Sequence, residues 1–75
     1  MVRNIKHFAD KLNHCLDELG APAPIKERAV VLSKMLDISK QQAWILLNGQ
    51  QIPSQALLEA LAKEFEVDIK WFSDD

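Results

Sequence analysis

The stretch from residue 32 to residue 49, LSKMLDISKQQAWILLNG, constrains the fold more than any other part of the chain. Its apolar residues recur at helical spacing on both sides of a short break around Asp37. A tight turn there needs a positive φ, which Asp tolerates better than most residues other than Gly. Asn48 and Gly49 then end the second helix. Two short helices joined by three or four residues form a helix-turn-helix arrangement.

The residues before this stretch predict another helix and a break in the chain. Asn4 is the expected N-cap, and an apolar stripe at helical spacing follows it, formed by Ile5, Phe8, Leu12, Cys15, Leu16 and Leu19. Gly20 ends this helix, and the following Ala-Pro-Ala-Pro segment keeps it from continuing. The next helix is expected from about residue 25 to residue 36, where it buries Ala29, Leu32 and Leu36.

Serines mark the expected starts of the third and fourth helices. Ser39 precedes a helix that buries Ala43, Leu46 and Leu47, and Gln42 three residues later completes a capping-box pattern. Ser54 precedes a helix whose buried face is formed by Leu57, Leu58, Leu61, Ala62 and Phe65. The apolar residues between 67 and 72 predict a last short helix that closes the core.

The length and composition fit a single small domain over residues 1–75. Hydrophobic residues make up 48% of the chain, yet no apolar run approaches the roughly 18 residues that span a bilayer. We therefore predict an all-α, compact four- to five-helix bundle, with its helix-turn-helix at about residues 26–49. The first residues lack the pattern of a secretory signal, and Cys15 cannot form an internal disulfide alone, so we expect a cytoplasmic protein without membrane association.

Charge is distributed unevenly along the chain, whose net charge is -2. Residues 1–40 carry seven basic and five acidic side chains, a net charge of +2. Residues 41–75 carry two basic and six acidic side chains, a net charge of -4. The N-terminal half therefore suits a nucleic acid better, and the acidic C-terminal end either faces away from it or binds a protein partner.

The combined motifs resemble the lambda-repressor-like, or Cro/CI-type, helix-turn-helix domain of phage repressors and small bacterial regulators. The resemblance covers about residues 25–72 and is carried by LSKxLxIS at 32–39, Ala43, LLNG at 46–49, IPS at 52–54, LLxxLAxxFxVD at 57–68 and WF at 71–72. It implies a transcriptional regulator, usually a repressor, that binds a palindromic double-stranded DNA operator as a homodimer.

The resemblance also implies which residues contact DNA, with the helix at residues 40–48 entering the major groove. The base-reading candidates are Lys40, Gln41, Gln42 and Trp44. The phosphate candidates are Arg28, Ser39, Gln50 and Gln51. The alternative interpretation is an ordinary polar helix start facing solvent, in which Gln42 only caps the helix. Lys26 and Lys34 fit surface solubility slightly better than a phosphate contact.

Trp44 and Ile45 depart from the family pattern, because most relatives carry polar or charged residues there. The indole of Trp44 can meet a thymine methyl group or a sugar, contact a protein, or fold back over the core. The second functional hypothesis is therefore a protein-interaction module, antirepressor-like or antitoxin-like, that uses Trp44 and Ile45 or the acidic C-terminal end as its contact surface.

The sequence offers little other chemistry. His7 and His14 lie seven residues apart, a spacing better suited to surface histidines than to a metal site, and Cys15 lies on an apolar stripe, as a buried structural thiol would. We expect no enzymatic activity, cofactor or metal. The homodimer surface is expected in the C-terminal part, around Trp71 and Phe72 or the loop before them.

Overall fold

Five α-helices form the fold of residues 4–73, the part of the chain that the computed structural model describes. They are α1 (Ile5–Glu18), α2 (Ile25–Leu36), α3 (Lys40–Leu47), α4 (Gln55–Glu64) and α5 (Ile69–Ser73), with no strand in this range. The predicted all-α bundle is therefore confirmed. The first residues, where we found no secretory signal, and Asp74 and Asp75 of the acidic end lie outside the described range.

Side-chain caps begin three of the helices at the predicted residues. The Asn4 side chain accepts hydrogen bonds from the backbone N–H groups of the first turn of α1, at 3.0 and 3.2 Å. Ser39 accepts from the N–H of Gln42 at 3.0 Å, and Ser54 accepts from that of Leu57 at 3.2 Å. These contacts satisfy donors that a helix leaves unpaired at its start, so local sequence sets where α1, α3 and α4 begin.

Four helices end with a left-handed residue just beyond the last turn, and Asp37, with φ 56°, is the one that ends α2. Gly20 follows α1 with φ 77°, Gly49 follows α3 with φ 65°, and Glu66 follows α4 with φ 55°. The next N–H then bonds to the carbonyl oxygen five residues earlier, which pairs Ala21 with Leu16, Gln50 with Ile45, and Val67 with Ala62. This is the Schellman arrangement. Glu66 was not predicted there, since a side chain costs more than a glycine at positive φ.

The core forms where α1 meets the other helices. Its largest fully buried side chains are Phe8, Phe72, Leu12, Leu16, Leu32 and Leu61. The Phe8 and Phe72 rings pack with their centroids 5.6 Å apart, which joins the two ends of the described chain. Leu36, Leu57 and Phe65 are half-buried at its edge.

Leu19 does not belong to the buried stripe, so that prediction is wrong. It is the C-cap of α1, beyond the last helical turn, and it exposes 58% of its surface. Its backbone is still helical, with φ -77° and ψ -11°, so periodicity places it on the apolar face correctly, but no other described helix covers its side chain there.

Helix α3 packs most extensively on α2 and also rests on α1. The Asn13 side chain of α1 donates to the backbone carbonyl of Leu47 at 3.3 Å. Gly49 lies so close to α1 that a Cβ atom there would be 3.3 Å from the Cβ of Ala9. Among residues 4–73, no helix is both long and apolar enough to cross a membrane.

Candidate nucleic-acid interface

The turn between α2 and α3 has the geometry that the sequence predicts. Asp37 takes the left-handed conformation, with φ 56° and ψ 46°. The backbone N–H groups of Asp37 and Ile38 both donate to the carbonyl of Ser33, which closes α2. Because Ser39 then caps α3, only three residues separate the two helices. A helix-turn-helix of this length holds the start of α3 in a fixed position relative to α2.

One side of α3 is anchored in the core, and the start of the helix is exposed. Ala43, Leu46 and Leu47 are buried, at spacings of three and four residues that define one helix face. Lys40, Gln41 and Gln42 are all exposed. The three polar candidates for base reading therefore project from a helix that is held in place by its opposite side.

Trp44 keeps 40% of its surface exposed. The indole is therefore partly covered and partly open to solvent, so it is not folded entirely over the core. Trp44 follows Lys40 by four residues, so the two side chains neighbour each other along α3. The start of this helix thus offers amide, ammonium and indole groups together.

The backbone at the start of α3 adds a partial positive charge. The first N–H groups of a helix point outward, and the macrodipole favours an anion near them. The Ser39 hydroxyl accepts from the Gln42 N–H, which is the half of the predicted capping box that the cap residue supplies. Ser39, a predicted phosphate contact, is exposed, but its hydroxyl oxygen already accepts the hydrogen bond that caps α3.

A shallow groove of about 510 Å³ runs between the first halves of α2 and α3. We call it the α2–α3 groove; it is lined by Lys26, Glu27, Ala29, Val30, Lys40, Gln41 and Trp44. Its floor is apolar, and two lysines and one glutamate stand around it. Sequence reasoning missed the parts played by Val30 and Glu27, although Lys26 and Val30 share the four-residue spacing of Lys40 and Trp44.

Arg28 is not available for a phosphate, so the prediction made for it is wrong. Its side chain is only 9% exposed. The guanidinium donates to the carbonyl of Pro22 at 2.7 Å, to the backbone and side-chain oxygens of Asn13 at 3.1 and 3.0 Å, and to the carboxylate of Asp17. Buried charges need such pairing. Arg28 therefore fastens the start of α2 to α1 and to the proline segment.

The other candidates beyond α3 have different surroundings. Gln50 and Gln51 are exposed in the loop after α3, but the Gln50 backbone N–H is used in closing the helix on Ile45. Ile45 is half-buried rather than exposed. The protein-binding hypothesis therefore rests on Trp44 alone in this helix.

The C-terminal aromatic pair is divided between the core and the surface. Phe72 is 1% exposed and packs on Phe8, so it cannot form the predicted homodimer surface. Trp71 is 36% exposed. Its partial exposure comes from its position on the outer side of the short helix α5.

Cys15, His7 and His14 do not line the α2–α3 groove. Cys15 is buried, as predicted, and burial raises the pKa of its thiol, with the nearby charge of Glu18 raising it further. His7 and His14 are exposed, and the Nε2 atom of His14 lies 3.3 Å from the Glu18 carboxylate. No group of three metal-ligating side chains comes together in the described part of the chain.

Comparison with known proteins adds no family assignment. The sequence matches no protein-family description, no curated protein and no solved structure. What the chain does must therefore be argued from the surface of α3 and its surroundings.

Proposed function

We propose that this protein is a sequence-specific DNA-binding transcriptional regulator, most simply a repressor, that inserts α3 into the major groove. The observation that carries the proposal is the exposed start of α3, where Lys40, Gln41 and Gln42 project beyond a buried anchor of Ala43 and Leu46. Glutamine amides pair with the N6 and N7 atoms of adenine, and lysine reaches guanine or a phosphate. The resemblance of residues 25–72 to the Cro/CI-type domain supports the same function.

The local charge supports this docking although the whole chain is acidic. Lys26 and Lys40 border the α2–α3 groove, and the N-terminal end of α3 adds its dipole. The exposed side chains of Gln50 and Gln51 follow the helix and can donate to the DNA backbone. With few cations, we expect a weaker salt dependence than that of a strongly basic repressor.

The size of the molecule suits two copies on one DNA site, so we include a homodimer in the proposal. An eight-residue helix reads only a few base pairs, and two half-sites lie about 34 Å apart along one face of DNA. The longest extent of the molecule is 27 Å. Two copies therefore fit beside each other without overlap. Such a regulator acts in the cytoplasm, where the DNA is.

The test begins with selection of duplexes from a random library, followed by gel-shift titration of the enriched duplex and a scrambled one. Salt concentrations of about 50 and 200 mM separate the phosphate contribution from base reading. Gln41→Ala should lose about 1–3 kcal/mol of discrimination at one base pair of each half-site. Lys40→Gln should weaken binding to both duplexes and reduce the salt slope by about 0.9 for each half-site, or about 1.8 for the dimer.

The matched control is Gln55→Ala, which truncates an exposed glutamine in the first turn of α4. It should change neither affinity nor sequence preference. A library from which no sequence is enriched, or a Gln41→Ala variant with unaltered preference, would count against DNA reading by α3.

A second candidate function, a protein-interaction module, is favoured by the exposure of Trp44 on the apolar floor of the α2–α3 groove. Docking of an apolar partner there would be nearly insensitive to salt, whereas phosphate contacts weaken as salt rises. Trp44→Ala would then abolish partner binding, and Lys40→Gln would leave it almost unchanged. Lys40→Gln therefore separates the two functions, because it should weaken DNA binding and leave partner binding almost unchanged.

A further inference from the structure

A second groove shares no residue with the α2–α3 groove. It has a volume of about 420 Å³ and lies between the C-terminal end of α1 and the segment that leads from α4 into α5. We call it the α1–α5 groove; its large apolar lining residues are Leu19, Phe65, Val67 and Trp71. Leu19 is 58% exposed and Trp71 is 36% exposed. Half of the four large hydrophobic side chains most exposed among residues 4–73 therefore lie at this one groove.

Trp71 is held firmly in place although it is exposed. Its ring packs edge-on against buried Phe72, with the centroids 5.1 Å apart. The Nζ of Lys11 donates to the Trp71 carbonyl at 2.6 Å and lies 5.5 Å from the indole centroid. A partner that packs on this indole meets a surface that is already ordered, so little conformational entropy is lost on binding.

Carboxylates surround this apolar surface. Glu18, Glu64 and Glu66 line the groove and are exposed, and neither Lys nor Arg is among its lining residues. His14, the other titratable side chain at the rim, pairs with Glu18. Glu66 has φ 55°, a conformation that glycine would adopt at lower cost. The groove therefore combines an apolar floor with three carboxylates at its rim, and the Lys11 ammonium lies beside it at the Trp71 indole.

We propose that the α1–α5 groove docks a basic amphipathic segment of another protein. The apolar side chains of that segment pack on Leu19 and Trp71, while its lysines or arginines face the glutamates of the rim. Charge selects this occupant, since opposite potentials across an interface favour association and like charges oppose it. A second copy docked groove to groove is disfavoured, because six carboxylates would then come together. DNA is disfavoured too, because its phosphates would lie against the three glutamates.

The probe is a synthetic amphipathic helical peptide with leucines on one face and lysines on the other. Its matched control carries glutamate in place of every lysine. Trp44→Phe leaves Trp71 as the single tryptophan of the chain, because the sequence has only two. Emission from Trp71 then reports on this groove alone, and sedimentation of the unliganded protein reports on self-association.

We expect saturable binding of the lysine peptide with a blue shift of Trp71 emission, and at least tenfold weaker binding of the glutamate peptide. Glu66→Gly should weaken binding of the lysine peptide about twofold to fivefold, the range for one exposed charge pair. This variant removes a carboxylate where glycine suits the backbone, so loss of folding does not explain the result. Leu19→Ser, at an exposed position, should weaken binding about tenfold by removing apolar contact.

Glu59→Gln is the matched control, since Glu59 is an exposed acid of α4 that does not line this groove. Equal binding of both peptides, equal losses from Glu59→Gln and Glu66→Gly, or no saturable binding would overturn the proposal. So would a concentration-dependent dimer that shifts Trp71 emission without peptide, since a second copy would then occupy the groove. DNA binding by α3 is measured separately and does not enter these results.

Discussion

The α2–α3 groove and the α1–α5 groove have similar sizes, about 510 and 420 Å³, and each contains a partly exposed tryptophan. Their charges are opposite. Two lysines and one glutamate line the first, whereas three glutamates and a histidine line the second. The net charge of -2 describes neither surface, because the positive and negative side chains are grouped at different places on one small bundle. An exposed indole can therefore contribute to the binding of chemically different partners at the two grooves.

Arg28 gives the largest expected effect, because this cation of α2 is buried and paired, unlike the exposed lysines that line the first groove. Arg28→Ala removes four hydrogen bonds to three residues that lie outside α2. We expect the free energy of unfolding to fall by about 3 kcal/mol, measured by chemical denaturation. Lys34→Ala, which truncates an exposed cation of the same helix, should change it by less than about 0.5 kcal/mol. Equal losses of unfolding free energy in the two variants would mean that Arg28 behaves as an exposed surface cation.

Gly49 tests how firmly the end of α3 rests on α1, the helix that also forms one wall of the α1–α5 groove. Gly49→Ala adds a Cβ at positive φ and 3.3 Å from Ala9, and should cost about 2 kcal/mol of unfolding free energy. Gly20→Ala carries similar backbone strain, with φ 77°, but its Cβ would meet no atom within 4 Å. We expect about 1 kcal/mol for Gly20→Ala. The difference in unfolding free energy between the two variants measures the close contact of Gly49 with α1. Identical losses would mean that Ala9 and its neighbours shift to accommodate the new Cβ atom.

Cys15 gives the smallest effect and refines the description of the α1–α5 groove, which it also lines. Burial, and then the charge of Glu18, raise the pKa of this thiol above its usual value of 9.0. The unfolded chain therefore releases the thiol proton at a lower pH than the folded chain does. The stabilisation is fully present below about pH 9 and is lost as pH rises above it, at a rate of at most about 1.4 kcal/mol per pH unit.

Denaturation curves of the parent chain and of Cys15→Ala between pH 7.5 and about 10.5 measure this loss. The parent should lose more stability than the variant across this range, since only the parent carries the thiol. Parallel curves would show that the thiol is solvated like that of an unfolded chain.

The features predicted correctly from sequence depend on residues close together in the chain. Ser39 caps α3 through a residue three positions away, and Asp37 closes α2 through its own backbone conformation. The exposed amides of Gln41 and Gln42 follow from the helical spacing of the buried Ala43 and Leu46. Such short-range rules identified both helices of the motif and the polar start of the second.

The features that sequence reasoning missed depend on long-range contacts. Arg28 is buried because carbonyls of Pro22 and Asn13 converge on it, and periodicity in α2 does not reveal partners in another segment. The α1–α5 groove joins residues near position 18 to residues near position 66, so its acidic rim is dispersed in the sequence. Glu66 occupies a site where glycine would have been the signal of a helix end.

In the proposed DNA-binding function, the shortness of α3 limits how much sequence one molecule can recognise. Eight residues at a rise of 1.5 Å make a rod about 12 Å long, which covers about four base pairs of DNA. A given sequence of four base pairs recurs by chance about once in every 256 positions, and a genome offers millions of competing sites. Two such four-base-pair sequences at a fixed spacing recur about once in 65,000 positions, so the proposed homodimer would gain selectivity without any change in the helix itself.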